Sequence, residues 1–208
     1  MNKRFYLITR DLHLYFGLFV SPFVLVFAFS VFFLVHSWIP GAAGKLQVSR
    51  VLDLELPPEL DKLSGRQLVD ALRPVLDRIG VQGELQSVRR LAKVRRLMVP
   101  VSVPGRETTV NIDLQNRTAE ITRRTTGIWD AMVTLHKAPG PHLAAIRMNW
   151  FMMRVWRWLA DATVYLLLFI SLSGIYLWIV LRAERRVGLI LLAAGASSFF
   201  GIIYAISH

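Results

Sequence analysis

The chain contains no cysteine among its 208 residues. The absence of thiols excludes disulfide bonds, iron–sulfur clusters with thiolate ligands and covalent attachment of c-type haem. It leaves noncovalent haem and histidine-bound metal open. Acidic residues are also few, 14 against 25 lysines and arginines, so that the net charge is +11.

The positive charge does not indicate a nucleic-acid-binding protein. The basic residues partly flank long apolar runs, where they act as topology signals and as contacts for anionic lipid headgroups. The sequence shows no basic stripe interleaved with aromatic residues, which is the pattern that binds single strands. We therefore predict a lipid bilayer as the environment of the chain and no nucleic acid among its partners.

Three apolar runs have the length of membrane-spanning helices. They lie at about 14–35, 162–181 and 187–206, and each matches the roughly 20 residues that cross a bilayer. The first run is longer than the roughly 7–15 apolar residues of a signal peptide, so we expect an uncleaved anchor.

Basic residues precede the first run and separate the second from the third. The positive-inside rule then places the N-terminus and that short loop in the cytoplasm.

The chain between the first two spans has the pattern of a small α+β domain. Apolar residues from Leu68 to Ile79 have helical spacing, with Ser64 as the N-cap and Gly80 as the stop. Three strand-like runs follow, "ELQSVRRL", "RRLMVPVSVP" and "ETTVNIDL", with a turn at Gly105 and a short strand near 119–123.

The predicted fold class is an integral membrane α-helical protein with three transmembrane helices and an inserted α+β extracytoplasmic domain. The predicted organisation is as follows: a cytoplasmic N-terminus with the first span at 1–40, the α+β domain at 41–128, an interfacial segment with His136 at 129–150, the second span at 151–182 and the third at 187–206.

Histidines flank the first span. On a helix, the rise from His13 to His36 is ~34 Å, slightly more than the ~30 Å of hydrocarbon, so these imidazoles are predicted near opposite membrane faces. His136 is predicted on the outer side with His36. A pair of neutral imidazoles from two helices is the usual axial ligation of b-type haem, so His36 and His136 are candidates to bind one haem iron. His13 would serve a second haem, with a partner from another protomer or a non-histidine ligand.

Aromatic residues near His36 and His136 are candidates for the walls of that haem pocket: Phe32, Phe33, Trp129 and, as an aliphatic wall, Met132. The alternative interpretation makes His13 and His36 interfacial residues, whose polar tips face the headgroups without any cofactor.

The remaining polar groups predict no further chemistry. His142 lies in a Pro-Gly loop and is expected to be solvated, and His208 is terminal. Asp161 is expected to pair with Arg157, four residues earlier. No Ser-His-Asp grouping, paired carboxylate site or phosphate loop is evident, so we do not expect a hydrolase.

Several short motifs occur in an order that resembles a known family. The first span opens with "LHLYFGL" and closes with "LVHSW", which keeps His36. The later motifs are "NIDLQNRTAEI", "TLHKAPGPH" with His136, and "SLSGIYLWIVLR". Together they resemble the PepSY-associated transmembrane helix family of bacteria over roughly residues 5 to 185, with a PepSY-like exported domain.

The resemblance implies a bacterial inner-membrane protein that binds haem b through His13, His36 and His136. Such proteins act as reductases, or as subunits of reductases, that pass electrons to periplasmic ferric-siderophore or other metal complexes. The larger reductases have more spans, which implies a homodimer or a partner membrane subunit here. The alternative implied by the same resemblance is a non-enzymatic, membrane-tethered PepSY domain that binds or regulates a periplasmic protein.

Overall fold

The computed structural model describes residues 3–91, 94–138, 145–181 and 184–207. The elements follow the chain in this order: α1 Lys3–Val35, β1 Lys45–Val51, α2 Gly65–Arg78, β2 Glu84–Leu85, β3 Arg89–Leu91, β4 Arg96–Val103, β5 Arg106–Asp113, β6 Thr118–Thr125, α3 Ile128–Lys137, α4 Phe151–Leu181 and α5 Arg185–Ser207. They form two compact units, one of residues 1–22 with 162–208 and the other of residues 23–161.

Three of the helices, α1, α4 and α5, are long and apolar enough to cross a membrane. The three spanning helices predicted from the apolar runs are therefore confirmed as helices. Most of their large apolar side chains are exposed within the chain. This is the arrangement expected when lipid, rather than protein, is the solvent for those side chains.

Helix α1 continues through Pro22. Proline has no N–H, so the carbonyl of Leu18, four residues earlier, loses its helical donor. The Ser21 hydroxyl donates to that Leu18 carbonyl oxygen at 3.0 Å. The Ser21 side chain thus replaces the missing backbone hydrogen bond. A carbonyl without a donor would be costly in an apolar environment.

The sheet of the inserted module is antiparallel, in the order β1-β6-β5-β4-β2, with β3 also paired to β4. Alternate residues of β4 and β5 are buried and pack with the apolar face of α2. The buried α2 side chains are the ones that the helical spacing predicted: Leu68, Val69, Leu72, Val75 and Leu76. The α+β character of the module is therefore confirmed.

The strand predictions hold in part. The runs assigned to β4 and β5 are confirmed, and the short strand near 119–123 is β6 with longer bounds. The run "ELQSVRRL" instead divides into the separate strands β2 and β3, and β1 was not predicted at all. Ser64 is the N-cap of α2 as expected, but its side chain makes no capping hydrogen bond.

The turn predicted at Gly105 joins β4 to β5. Its φ is +75°, and a Cβ there would lie 2.7 Å from the carbonyl oxygen of Gly127. Only glycine fits both the left-handed backbone and this close approach. The turn at Gly105 thereby brings the β4–β5 hairpin against the start of α3.

A buried carboxylate joins the module to the start of α4. Glu84 on β2 accepts hydrogen bonds from the backbone N–H of Trp150 at 2.8 Å and of Asn149 at 3.4 Å. A carboxylate at these positions satisfies free N–H groups and matches the positive end of the helix dipole.

The Asn149 side chain closes the same junction. Its amide donates to the Leu85 and Ile146 carbonyls at 2.9 and 2.8 Å, and its Oδ1 accepts from the Leu85 N–H at 3.0 Å. The Arg73 guanidinium reaches the Asn149 carbonyl at 3.1 Å, and burial lowers the pKa of Arg73. The module is therefore hydrogen-bonded to the first turn of α4.

Candidate functional site

His136, near the end of α3, lies against the first span. Its Nδ1 is 3.0 Å from the Oγ of Ser30, a fully buried residue of α1. The Ser30 hydroxyl is also 2.7 Å from the carbonyl oxygen of Phe27, to which it donates. With its proton directed to the Phe27 carbonyl, Ser30 Oγ is free to accept from His136 Nδ1–H. In that arrangement Nε2 of the imidazole carries the free lone pair.

Aromatic contacts fix the same imidazole in place. The ring of Phe27 meets the His136 ring edge-on, with centroids 5.3 Å apart. The indole N–H of Trp156 donates to the carbonyl of Leu135 at 3.1 Å and to that of Ala138 at 3.3 Å. These bonds hold the last turn of α3, and together with the Phe27 contact they define the position of the His136 ring.

His13, in the other compact unit, has the same arrangement. Its Nδ1 is 2.8 Å from the Oγ of Ser173 on α4. The Ser173 hydroxyl donates to the Phe169 carbonyl at 2.6 Å, so its oxygen is free to accept from His13 Nδ1–H. A Cβ on the neighbouring Gly174 would lie 3.4 Å from His13 Cε1, so the glycine gives the imidazole room beside α4. In the arrangement with Nδ1–H as donor, Nε2 of His13 carries the lone pair.

His36 has a different environment. It follows the end of α1 and is exposed, with its backbone N–H bonded to the Phe32 carbonyl at 3.1 Å. Its ring packs on that of Phe32 at a centroid distance of 4.5 Å. The contacts that the structure gives His36 and His136 thus run to different partners. Their shared ligation of one iron stays a prediction.

An apolar cavity of about 570 Å³ adjoins this end of α1. Three of the four residues predicted as pocket walls line it, namely Phe32, Phe33 and Trp129, and Trp38 lies among them. Cofactor sites are typically apolar clefts of about 300–1,000 Å³. The volume is in this range and the lining is aromatic, but neither His36 nor His136 is among the residues that line the cavity.

Haem iron needs a neutral imidazole nitrogen, and metal-bound histidines usually donate their other ring N–H to a fixed acceptor. His13 and His136 each have a fixed acceptor for that N–H, the hydroxyls of Ser173 and Ser30. These two histidines are the residues that would hold a haem. Within the described ranges, no group of three or more histidine and carboxylate residues could hold a metal ion by itself.

Other predicted residues have simpler outcomes. Arg157 and Asp161 form the predicted ion pair, with Nε and Oδ2 3.8 Å apart. His142 and His208 lie outside the described residues. The sequence reasoning overlooked Ser30, and it included Ser173 and Gly174 only in the motif "SLSGIYLWIVLR", without linking them to His13. A signal existed for the serines, since a polar side chain within a membrane-length apolar run is a functional candidate.

The three apolar helices and the inserted sheet module define a multi-pass membrane protein. The chain belongs to the PepSY_TM-like family, whose sequence profile matches residues 7–207. The resemblance inferred from the motifs is thus confirmed. Comparisons with curated proteins and with solved structures give no match.

Proposed function

We propose that this membrane protein binds haem b noncovalently through span histidines and transfers electrons across the bacterial inner membrane. The acceptor would be a periplasmic ferric-siderophore or other metal complex, reached from the side of the sheet module. The main support is that Nδ1 of His13 and Nδ1 of His136 each lie within hydrogen-bond distance of a buried serine hydroxyl, which would hold the Nδ1–H tautomer. An isolated interfacial histidine has no need of such a partner.

The roles of the residues follow from these contacts. Ser30 and Ser173 hold the Nδ1 proton of their histidine, which keeps Nε2 available as a ligand. Phe27 and Trp156 restrict water around His136. Bound haem supplies one-electron chemistry that no side chain of this cysteine-free chain provides.

Each of the two imidazoles would hold a haem iron by one ring nitrogen, and a second protein ligand would be needed. His36 is the candidate partner for His136, because it directly follows the helix that carries Ser30. His13 would take its second ligand from another protomer or from a partner subunit. This requirement is the reason for proposing a homodimer or a heteromeric complex.

The test is a reduced-minus-oxidised absorbance spectrum of the full-length protein, purified in detergent and reconstituted with haem. We expect b-type bands, a loss of part of the absorbance in His13→Ala and in His136→Ala, and no loss in the His208→Ala control. Absence of b-type bands in the reconstituted wild type contradicts the proposal. Bands that survive unchanged in the His36→Ala, His136→Ala double variant contradict the assigned ligands.

A second function, that of a tethered module binding a periplasmic protein, is favoured by strand β1. This strand lies at the edge of the sheet, and Leu46 and Val48 on it are exposed. Edge strands present unpaired backbone groups that can accept a strand from a partner. A photo-crosslinking residue at Val48 should capture one protein in cells, while the same probe at Glu107 should not. Capture of the same products at both positions argues against this function.

A further inference from the structure

A basic cleft lies at one end of the sheet, where β3 ends, β4 begins and β5 ends. We call this end the tip. The cleft has a volume of about 270 Å³ and is lined by three arginines and three leucines: Arg90, Arg95, Arg96, Leu91, Leu97 and Leu114. The strand register places these residues together, because Leu91 pairs with Arg96 and Arg96 pairs with Asp113. Neither the family nor the haem proposal assigns a role to this cleft.

Two of the arginines are held by backbone contacts. The Arg90 guanidinium donates to the carbonyl oxygens of Leu60, at 3.2 Å, and Asp61. Arg95 has a left-handed backbone, with φ +47°, and its carbonyl accepts the Leu114 N–H at 3.1 Å. A non-glycine residue in this conformation needs support from its surroundings. The contact with Leu114 supplies that support and fixes where the Arg95 side chain begins.

The carboxylates near the cleft do not neutralise it. Asp113 accepts the N–H groups of Asn116 and Gln115, at 2.9 and 3.0 Å, and these donors lower the pKa of Asp113. The same carboxylate lies 3.4 Å from Arg96 Nε. Asp61, which is exposed, is the other acidic residue at the cleft. Three guanidinium groups thus face two carboxylates, and the cleft keeps an excess of positive charge.

We propose that the tip binds a small organic anion that carries carboxylate groups on a compact apolar frame. Arginine forks match carboxylates in bidentate geometry, so Arg90 and Arg95 would hold the charged groups. The buried Leu97, with Leu91 and Leu114, would contact the frame. A volume just below the range of about 300–1,000 Å³ for drug-sized ligands favours a small molecule over a folded partner.

The position of the cleft favours a ligand that is free in solution. Strand β4 runs eight residues from the tip to the turn at Gly105, which lies against the start of α3. At ~3.3 Å per residue, the tip lies ~26 Å along the strand from that turn. The cleft therefore lies at the end of the sheet away from the turn that contacts α3, and the ligand that we propose is a dissolved anion. The inference does not depend on haem.

Titration calorimetry of the full-length protein in neutral detergent, at low salt, tests this proposal with phthalate as the probe. We expect saturable binding at one site that weakens at high salt, and no binding of the neutral phthalamide. Arg95→Gln, at an exposed position, should lower the phthalate affinity about 10-fold through the loss of a charge-assisted pair. Arg124→Gln is the matched control, because Arg124 pairs with Glu107 near the other end of the strands. It should leave the affinity unchanged.

Several outcomes overturn the proposal. They are the absence of phthalate binding by the wild type, equal phthalate affinity in Arg95→Gln, and binding of inorganic phosphate as tight as that of phthalate. The last outcome would mean that the leucines contribute nothing. A triglutamate peptide that binds more tightly than phthalate would also overturn it, in favour of an acidic protein partner. An unchanged circular dichroism spectrum shows that Arg95→Gln is folded, so that its phthalate affinity can be compared with that of the wild type and of Arg124→Gln.

Discussion

The sheet module buries mainly aliphatic side chains, whereas the membrane spans bury serines and threonines beside a few apolar residues. In the module the least exposed residues are aliphatic: Leu72, Leu76, Val99, Val110 and Ile112. In the spans, Ser30 is fully buried and Ser173 nearly so, while many leucines of the same helices face outward. The module needs an apolar interior because water surrounds it. The spans lie in an apolar medium, so the burial of apolar side chains is not what stabilises them. A buried polar side chain there indicates a specific contact between chain segments.

Truncating a leucine in each region should give the largest effect. Leu72→Ala empties space in the packed interface between α2 and the sheet and should destabilise the module by about 2–5 kcal/mol. Leu189→Ala, on the exposed face of α5, should change stability by less than about 0.5 kcal/mol. Hydrogen exchange of the β4 and β5 amides in bilayer nanodiscs measures both. Equal losses of stability in Leu72→Ala and Leu189→Ala would show that the module and the spans do not differ in how apolar burial stabilises them.

Removing a buried serine should have the next largest effect. Ser30→Ala leaves His136 Nδ1–H without its acceptor and should lower the free energy of unfolding by about 1–3 kcal/mol. Either ring nitrogen of His136 can then carry the proton. Nitrogen-15 spectra of labelled histidine should then show a mixture of tautomers at His136. Ser171→Ala is the matched control, because Ser171 bonds only to the Leu167 carbonyl of its own helix. An unchanged His136 signal in Ser30→Ala would show that the serine does not set the tautomer.

The junction between the module and α4 should respond more weakly. Glu84→Gln keeps the side-chain size but removes the charge that caps Trp150 and Asn149. We expect a loss of about 0.5–2 kcal/mol, seen as faster exchange of the Trp150 amide. Glu59→Gln, at an exposed ion pair with Lys62, serves as the control. Exchange at Trp150 that is equally fast in both variants would argue against a capping role.

The smallest effect should come from Asp113 and depend on pH. Hydrogen bonds from Asn116 and Gln115 lower the pKa of Asp113 below its unfolded value of about 3.9. The stabilisation is then present above that value and is lost as the pH falls through the folded pKa. Asp113→Asn should flatten the acid side of a plot of melting temperature against pH, whereas Asp77→Asn should not. An acid limb as steep as in the wild type would contradict this.

Local patterns were enough to predict α2, β4, β5 and the three long helices, because each has a clear apolar period. Strand β1 was missed because it is an exposed edge strand, so no buried face imposes alternation on its sequence. The short strands β2 and β3 were predicted as a single strand, since two or three residues are too few to show an alternation of apolar and polar side chains.

The histidines could be chosen from the sequence, but their partners could not. Ser30 and His136 are separated by 106 positions, and His13 and Ser173 by 160. No local spacing rule connects residues so far apart, and only the folded chain shows which polar groups meet. The carboxylate of Glu84 was overlooked for the same reason, since the backbone N–H groups that donate to it lie more than sixty residues away.

The contact of Glu84 with the start of α4 has a consequence for biogenesis. Synthesis proceeds from the N-terminus, so the ribosome makes β2 and most of the sheet before it makes Trp150. The carboxylate can therefore already be in place when the second span emerges, and the new helix can begin on a finished template. If the gene were reordered so that this span was translated first, the backbone N–H groups of Asn149 and Trp150 would have no carboxylate to bind until β2 had been made.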